Sequence, residues 1–158
     1  MLVTSTAEDW VKGFAAGWRE PRSAEDFVAH FTPMLAPDVR MVQPMMPPLA
    51  GLDAFRTGFA EPLFSMIPDL HGTVRGWAAE GDVIFIDLVL EGTVGGKPMT
   101  METVDRITLR DGLCVERVAF LDPAPLLRAV ATSPRTWPRF ARAQAMQIRN
   151  LIQARRNR

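Results

Sequence analysis

A chain of 158 residues, 47% of them hydrophobic, is most simply one domain that can bury a core without disulfides or metal. Its single cysteine, Cys114, excludes an internal disulfide framework and suits a reducing compartment. Formal net charge is zero but unevenly placed, since no acidic residue follows Asp122 whereas eight arginines do, from Arg128 to Arg158.

Met1–Trp10 carries Glu8 and Asp9 and lacks an apolar stretch, so no secretory signal is expected there. The first helix is predicted over Thr6–Arg19, where Trp10, Phe14 and Trp18 at i, i+4 and i+8 form an apolar stripe. Pro21 follows its end. Ser23 opens a second helix with Asp26 three residues on, a variant of the capping box, and Phe27 and Phe31 face inward. Val39–Gln43 reads as a short strand stopped by Pro44, and Pro47-Pro48 stiffen the next loop. A third helix is predicted over Gly51–Met66, with Leu52, Phe55, Phe59, Leu63 and Phe64 largely on one stripe and a kink at Pro62.

The period then changes from that of a helix to that of strands. His71–Ala79, Asp82–Thr93, Lys97–Arg110 and Leu113–Leu121 read as four strands. Turn signals at Gly81-Asp82, Gly95-Gly96 and Asp111-Gly112 join them into an antiparallel meander. The longest apolar run, Val83–Leu90, is interrupted by Asp87 and falls short of a membrane span, so the expected location is the cytoplasm. A short helix around Leu126–Ala131 follows, then a longer one from about Pro134. Trp137, Phe140, Gln144, Ile148, Leu151 and Ile152 occupy one side of it and arginines the other. These elements predict an α+β domain over residues 1–131, with three helices on one sheet face, and a basic amphipathic helical extension over 132–158.

Asp105 stands out within this pattern. Alternation over Met99–Leu109 puts Met99, Met101, Thr103, Asp105, Ile107 and Leu109 on one face, which turns inward and takes the carboxylate with it. A buried charge costs several kcal/mol unless it is paired or neutralised, so Asp105 is a candidate acid, base or hydrogen-bond donor. The alternative is a structural ion pair inside the sheet.

The order of elements and several phrases resemble the nuclear transport factor 2-like superfamily, including its SnoaL-like branch. The matching phrases are Leu35-Ala36-Pro37-Asp38 to Gln43-Pro44, Gly51-Leu52-Asp53-Ala54-Phe55, Pro68-Asp69-Leu70, Glu91-Gly92-Thr93 and Arg110-Asp111-Gly112 leading to Leu121-Asp122. The resemblance implies a cone-shaped curved sheet with helices over it, an apolar pocket, and commonly a homodimer. It is specific for fold and poor for chemistry, because this fold hosts isomerases, epoxide hydrolases, cyclases and binding proteins.

Carried over by position, most of the family chemistry has no counterpart. The Arg and two Asp of limonene epoxide hydrolases fall on Ile86, Leu88 and Ala119, and the final-strand Asp of SnoaL-type cyclases also falls on Ala119. The ketosteroid isomerase base falls on Gln43, which cannot take a proton at neutral pH, and the chain has no tyrosine for the oxyanion hole. The oxyanion-hole Asp of that group, kept neutral by an apolar site, aligns with Asp105.

By the same alignment Arg117 shares the inward face of the last strand with Val115, Ala119 and Leu121 and could pair with Asp105. A tight two-residue turn at Asp111-Gly112 would instead aim Arg117 outward and bring Val118 opposite Asp105. Asp87 is expected on the outer face, paired with Arg106. His30 reads as a satisfied core or rim histidine, and His71 begins a strand. Two histidines and one cysteine without ligand spacing predict no metal site, and no cofactor motif is present. Gly92–Lys97 lacks the spacing of a phosphate loop. Met99 and Met101 could supply an adaptable lining for an apolar ligand or simply fill the core.

Together these features predict a pocket for a small apolar molecule, either in an isomerase- or cyclase-type enzyme with Asp105 as acid/base, or in a non-catalytic binding protein. A dimeric interaction module is a further alternative. Arg117, Thr103, Gln43, Met101, Ile86, Leu88, Ala119 and Trp18 are the expected substrate-binding residues. Nucleic-acid binding is not expected, because no stacking-aromatic motif accompanies the arginines. For the C-terminal helix, packing on its own or a sister chain is preferred to membrane attachment.

Overall fold

The computed structural model describes residues 2–156. Helix α1 (Leu2–Arg19) is followed by α2 (Ala24–Phe31), whose cap is the one its sequence predicts: the Ser23 hydroxyl accepts the Asp26 N–H at 3.0 Å. A 3-10 turn at Thr32–Met34 leads straight into β1 (Leu35–Val42), which starts earlier than the predicted Val39 because Leu35 already pairs with the last strand. The two-residue β2 (Leu49–Ala50) pairs antiparallel with β1.

The predicted kink at Pro62 takes another form. α3 (Leu52–Ala54) widens into a π-helical stretch (Phe55–Ala60) and continues as α4 (Glu61–Met66). The Glu61 N–H bonds the Arg56 carbonyl, five residues back. The wider turn places Pro62, which has no N–H to give, where the ladder can pass it.

Strands β3 (His71–Glu80), β4 (Val83–Val94), β5 (Lys97–Arg110) and β6 (Leu113–Leu121) form the predicted meander. Strand β1 adds to β6 in parallel, giving a curved mixed sheet of order β2-β1-β6-β5-β4-β3. After β6 come α5 (Ala124–Ala131), a 3-10 turn (Pro134–Thr136) and α6 (Trp137–Arg156). Among the described residues no helix is long and apolar enough to cross a membrane.

The core lies between the inner sheet face and α1 to α4. Its centre is aromatic: Trp10 stacks on Phe14 at 5.5 Å, and Trp18 meets Phe27 edge-on at 4.8 Å. Helices α1 and α2 approach closely at Gly17, where a Cβ would lie 2.5 Å from ring carbons of His30 and Phe31. His30 is satisfied through its Nε2, 2.8 Å from the Gly13 carbonyl oxygen.

Asp87 faces outward as expected, but its partner is Arg75, at 2.8 Å, and not Arg106. A bulge at Arg75 between the Val74–Leu88 and Gly76–Asp87 pairings brings that side chain beside Asp87. Arg106 pairs with Glu116 at 3.0 Å, and Arg40 reaches the same carboxylate at 2.8 Å.

The predicted apolar stripe of α6 is divided between two environments. Ala143 is buried and Phe140 half-buried, whereas Trp137, Ile148 and Ile152 are more than half exposed. The body covers only one edge of the stripe. The side chains of Leu151, Arg155 and Arg158 lie outside the described residues.

Candidate functional site

The inward face of β5 is buried at every expected position, from Met99 through Met101, Thr103, Asp105 and Ile107 to Leu109. The register of β6 decides what Asp105 meets. Asp111 and Gly112 both have positive φ, at 53° and 79°, and make a two-residue turn, with Arg110 opposite Leu113 and Leu109 opposite Cys114. Thr108 then lies opposite Glu116, so Val115 is an extra residue in the strand. This one-residue bulge turns Arg117 inward, opposite Ile107, and places Ala119 opposite Asp105.

Arg117 and Asp105 form a buried ion pair. The Arg117 Nε–H donates to Asp105 Oδ2 at 2.7 Å, and the Thr103 hydroxyl donates to Oδ1 at 3.1 Å. Asp105 is fully buried and Arg117 is 7% exposed. The Arg117 Nη1 donates to Gln43 Oε1 at 3.1 Å, and Gln43 donates its own amide proton to the sulfur of Met46. Gln43 can do this because β1 runs parallel to β6, with Met41 opposite Arg117. The Phe59 ring lies 5.2 Å from the guanidinium carbon, a cation–π contact that helps offset lost hydration. Among the described residues Nη2 has no hydrogen-bond partner.

Beside this cluster is a cavity of about 90 Å³. Of the residues expected to bind a ligand, Trp18, Gln43, Met101 and Arg117 line it. Thr103, Asp105, Ile86, Leu88 and Ala119 do not; each is buried, with Asp105 behind Arg117 and Ile86 and Leu88 wholly enclosed in the core. Sequence reasoning missed much of the rest of the wall, including the Pro44–Met46 turn, the α4 residues Leu63 and Met66, and α6 through Phe140, Ala143 and Gln144. The Met45-Met46 pair was the one available signal for the first. Nothing in the sequence showed which edge of the α6 stripe would roof a cavity.

Among the described residues no histidine, cysteine or carboxylate lines the cavity. Cys114 is buried below it, and burial pushes its thiol up to about 12 despite the nearby Arg117. Among the described residues no three His, Cys, Asp or Glu side chains group as a metal ion would need. The polar equipment is therefore one fixed cation, already balanced by Asp105, and the amides of Gln43 and Gln144. Such a site can hold an oxygen atom by hydrogen bonding, and none of its described lining groups accepts a proton at neutral pH.

Comparison with curated protein sequences gave no significant match. Among solved structures, a candidate SnoaL-like polyketide cyclase from Jannaschia sp. CCS1 is similar with a TM-score of 0.67 and 22% identity, over 80% of this chain and 92% of that one. IdmH, a polyketide cyclase candidate from Streptomyces antibioticus, is similar with a TM-score of 0.64 and 20% identity over 78% and 97%. An M. tuberculosis LEH-like epoxide hydrolase is similar with a TM-score of 0.63 at 10% identity, over 84% and 95%. At these identities the likeness is one of fold. The sequence itself matches the SnoaL-like domain family over residues 9–117, so the chain belongs to that family and carries the nuclear transport factor 2-like fold.

Proposed function

We propose that this protein binds a small, largely apolar molecule in the cavity beside Arg117 and holds one of its oxygen atoms there. The observation that carries this reading is a nearly buried arginine on the wall of an apolar cavity, its guanidinium fixed by Asp105, Gln43 and Phe59 and its Nη2 without a hydrogen-bond partner among the described residues. A site of that make-up, an apolar wall with few fixed polar groups, is the usual form of a small-molecule pocket. The cavity is small, and Met45, Met46, Met66 and Met101 on its wall can re-pack to admit a larger body. Asp105 is a positioning residue here: it holds and balances Arg117 and does not touch the ligand.

A second reading is an isomerase or cyclase, and the same cation favours it. Arg117 could stabilise an oxygen that gains negative charge in the reaction, with an apolar wall around it. The proton would then have to move within the substrate or to solvent. Association of two copies would have an apolar outer sheet face to bury, since Phe85, Val104 and Phe120 are 43%, 41% and 56% exposed there.

A thermal-shift screen of the wild type and Arg117→Met against apolar enones, epoxides, phenols and carboxylic acids tests the reading. A ligand at about 100 times its Kd adds roughly 2.7 kcal/mol. Hits that shift the wild type and not the variant support it, and a screen without hits contradicts it.

A further inference from the structure

We infer that the group this cavity takes at Arg117 is a neutral hydrogen-bond acceptor, such as a ketone, enone or lactone carbonyl, and that it rejects carboxylates. The inference rests on the proposed small-molecule site and adds the chemical class of its head group.

The argument is one of charge and of free hydrogen-bonding edges. An arginine in an apolar cavity ordinarily selects a carboxylate, because it offers a matched two-pronged edge and a compensating charge. Both of those offers are already taken. Asp105 sits 2.7 Å from Nε and supplies the counter-charge, and among the described residues no other charged side chain lines the cavity. A carboxylate entering beside Arg117 would leave the apolar-walled site with one net negative charge. It would also place two anions around one cation, away from water.

The geometry acts in the same direction. A guanidinium presents two-pronged edges at Nε/Nη2 and at Nη1/Nη2. Asp105 engages Nε and Gln43 engages Nη1, so each edge has one nitrogen already in use. Nη2 remains, and it suits a single carbonyl oxygen. The Phe59 ring against the guanidinium and the apolar wall around it would then hold the rest of the molecule. Rejection of anions is thus built in by Asp105 as an element of specificity.

The same reasoning says what Asp105→Asn does. The amide keeps an acceptor for Arg117 Nε and removes the counter-charge, so the site gains a net positive charge and its preference reverses.

The test uses three probes of one shape, acetophenone, benzoate and benzylamine, with toluene as the apolar reference. Each is titrated by NMR at pH 7.5 into the wild type and Asp105→Asn. The expected result is acetophenone at least tenfold tighter than benzoate and benzylamine on the wild type, and benzoate at least tenfold tighter than acetophenone on the variant. Benzoate binding the wild type as well as acetophenone does overturns the inference and leaves the small-molecule site standing. Binding of none of the four overturns the site itself, and the inference with it. Should Asp105→Asn fail to fold, benzoic acid is titrated into the wild type at pH 4.5 and 7.5. Loss of at least tenfold in affinity at the higher pH is expected, and an unchanged affinity overturns the inference.

Discussion

Asp105 and Arg117 meet diagonally across the β5–β6 ladder. Asp105 stands opposite Ala119 and Arg117 opposite Ile107, yet Nε and Oδ2 are 2.7 Å apart. Small Ala119 leaves room for the long arginine side chain to lean over it toward the carboxylate, as diagonal sheet neighbours with long side chains can. Both groups are removed from water, so each is the other's main compensation.

Breaking this pair should cost more than removing it. Arg117→Met leaves a buried carboxylate and Asp105→Leu leaves a buried guanidinium. Each single variant is expected to lose about 3–5 kcal/mol in urea denaturation, and the double variant to recover most of that loss. Additive losses would contradict the pairing.

The Val115 bulge absorbs the one residue by which β6 exceeds a regular hairpin, and the register beyond it does not need that residue. Deleting Val115 leaves Cys114 opposite Leu109, Glu116 opposite Thr108 and Arg117 opposite Ile107, now in an unbroken ladder with Arg117 still inward. The expected outcome is a protein that still unfolds cooperatively, judged by near-ultraviolet circular dichroism and a thermal melt. Loss of the cooperative transition would contradict the register described.

Gly17 is needed for close approach and not for a turn. Alanine favours helix, but its Cβ would fall 2.5 Å from the ring of buried Phe31 and from that of His30, which stands exposed at the rim, edge-on to Phe31 with its Nε2 at the Gly13 carbonyl. Gly17→Ala is expected to lose about 1–3 kcal/mol, an overpacking effect that exceeds the helix-propensity gain of roughly 1 kcal/mol. A raised melting temperature would contradict that packing.

Cys114 gives a pH signature. Burial raises its thiol to about 12 in the folded protein from an ordinary value of 9.0. A folded value above the unfolded one stabilises fully below pH 9, and the contribution is lost as pH rises from there toward 12. The wild type should therefore lose stability across that window more steeply than Cys114→Ala, by up to about 1.4 kcal/mol per pH unit. The thiol should react with Ellman's reagent at pH 8 only as fast as the protein unfolds. Prompt reaction in the native state would show that the thiol is open to water.

The sequence carried the fold through local signals: the Ser23 cap, the 3.6 period of α1, the alternation of β5 and the glycine-marked turns. It carried Asp105 by that same alternation. It could not settle Arg117, because an extra residue at Val115 has no composition signal and one residue reverses every side chain beyond it. The partner of Asp87 was hidden for the same reason, by the bulge at Arg75. The cavity wall was least legible, since Met45, Met46, Leu63 and Phe140 come together only through tertiary packing. An apolar stripe such as that of α6 states that something is covered, not which edge.

The most direct test of the central claim is side-chain NMR of the guanidinium groups, with Nε–H signals assigned by comparison with Arg117→Lys. Arg117 should give a slowly exchanging Nε–H signal in the free protein, reflecting its bond to Asp105. That signal should move as an apolar ketone is titrated in, while the exposed arginines of α6 stay unchanged. A signal that stays still while the ligand perturbs other residues would place binding elsewhere and contradict the account.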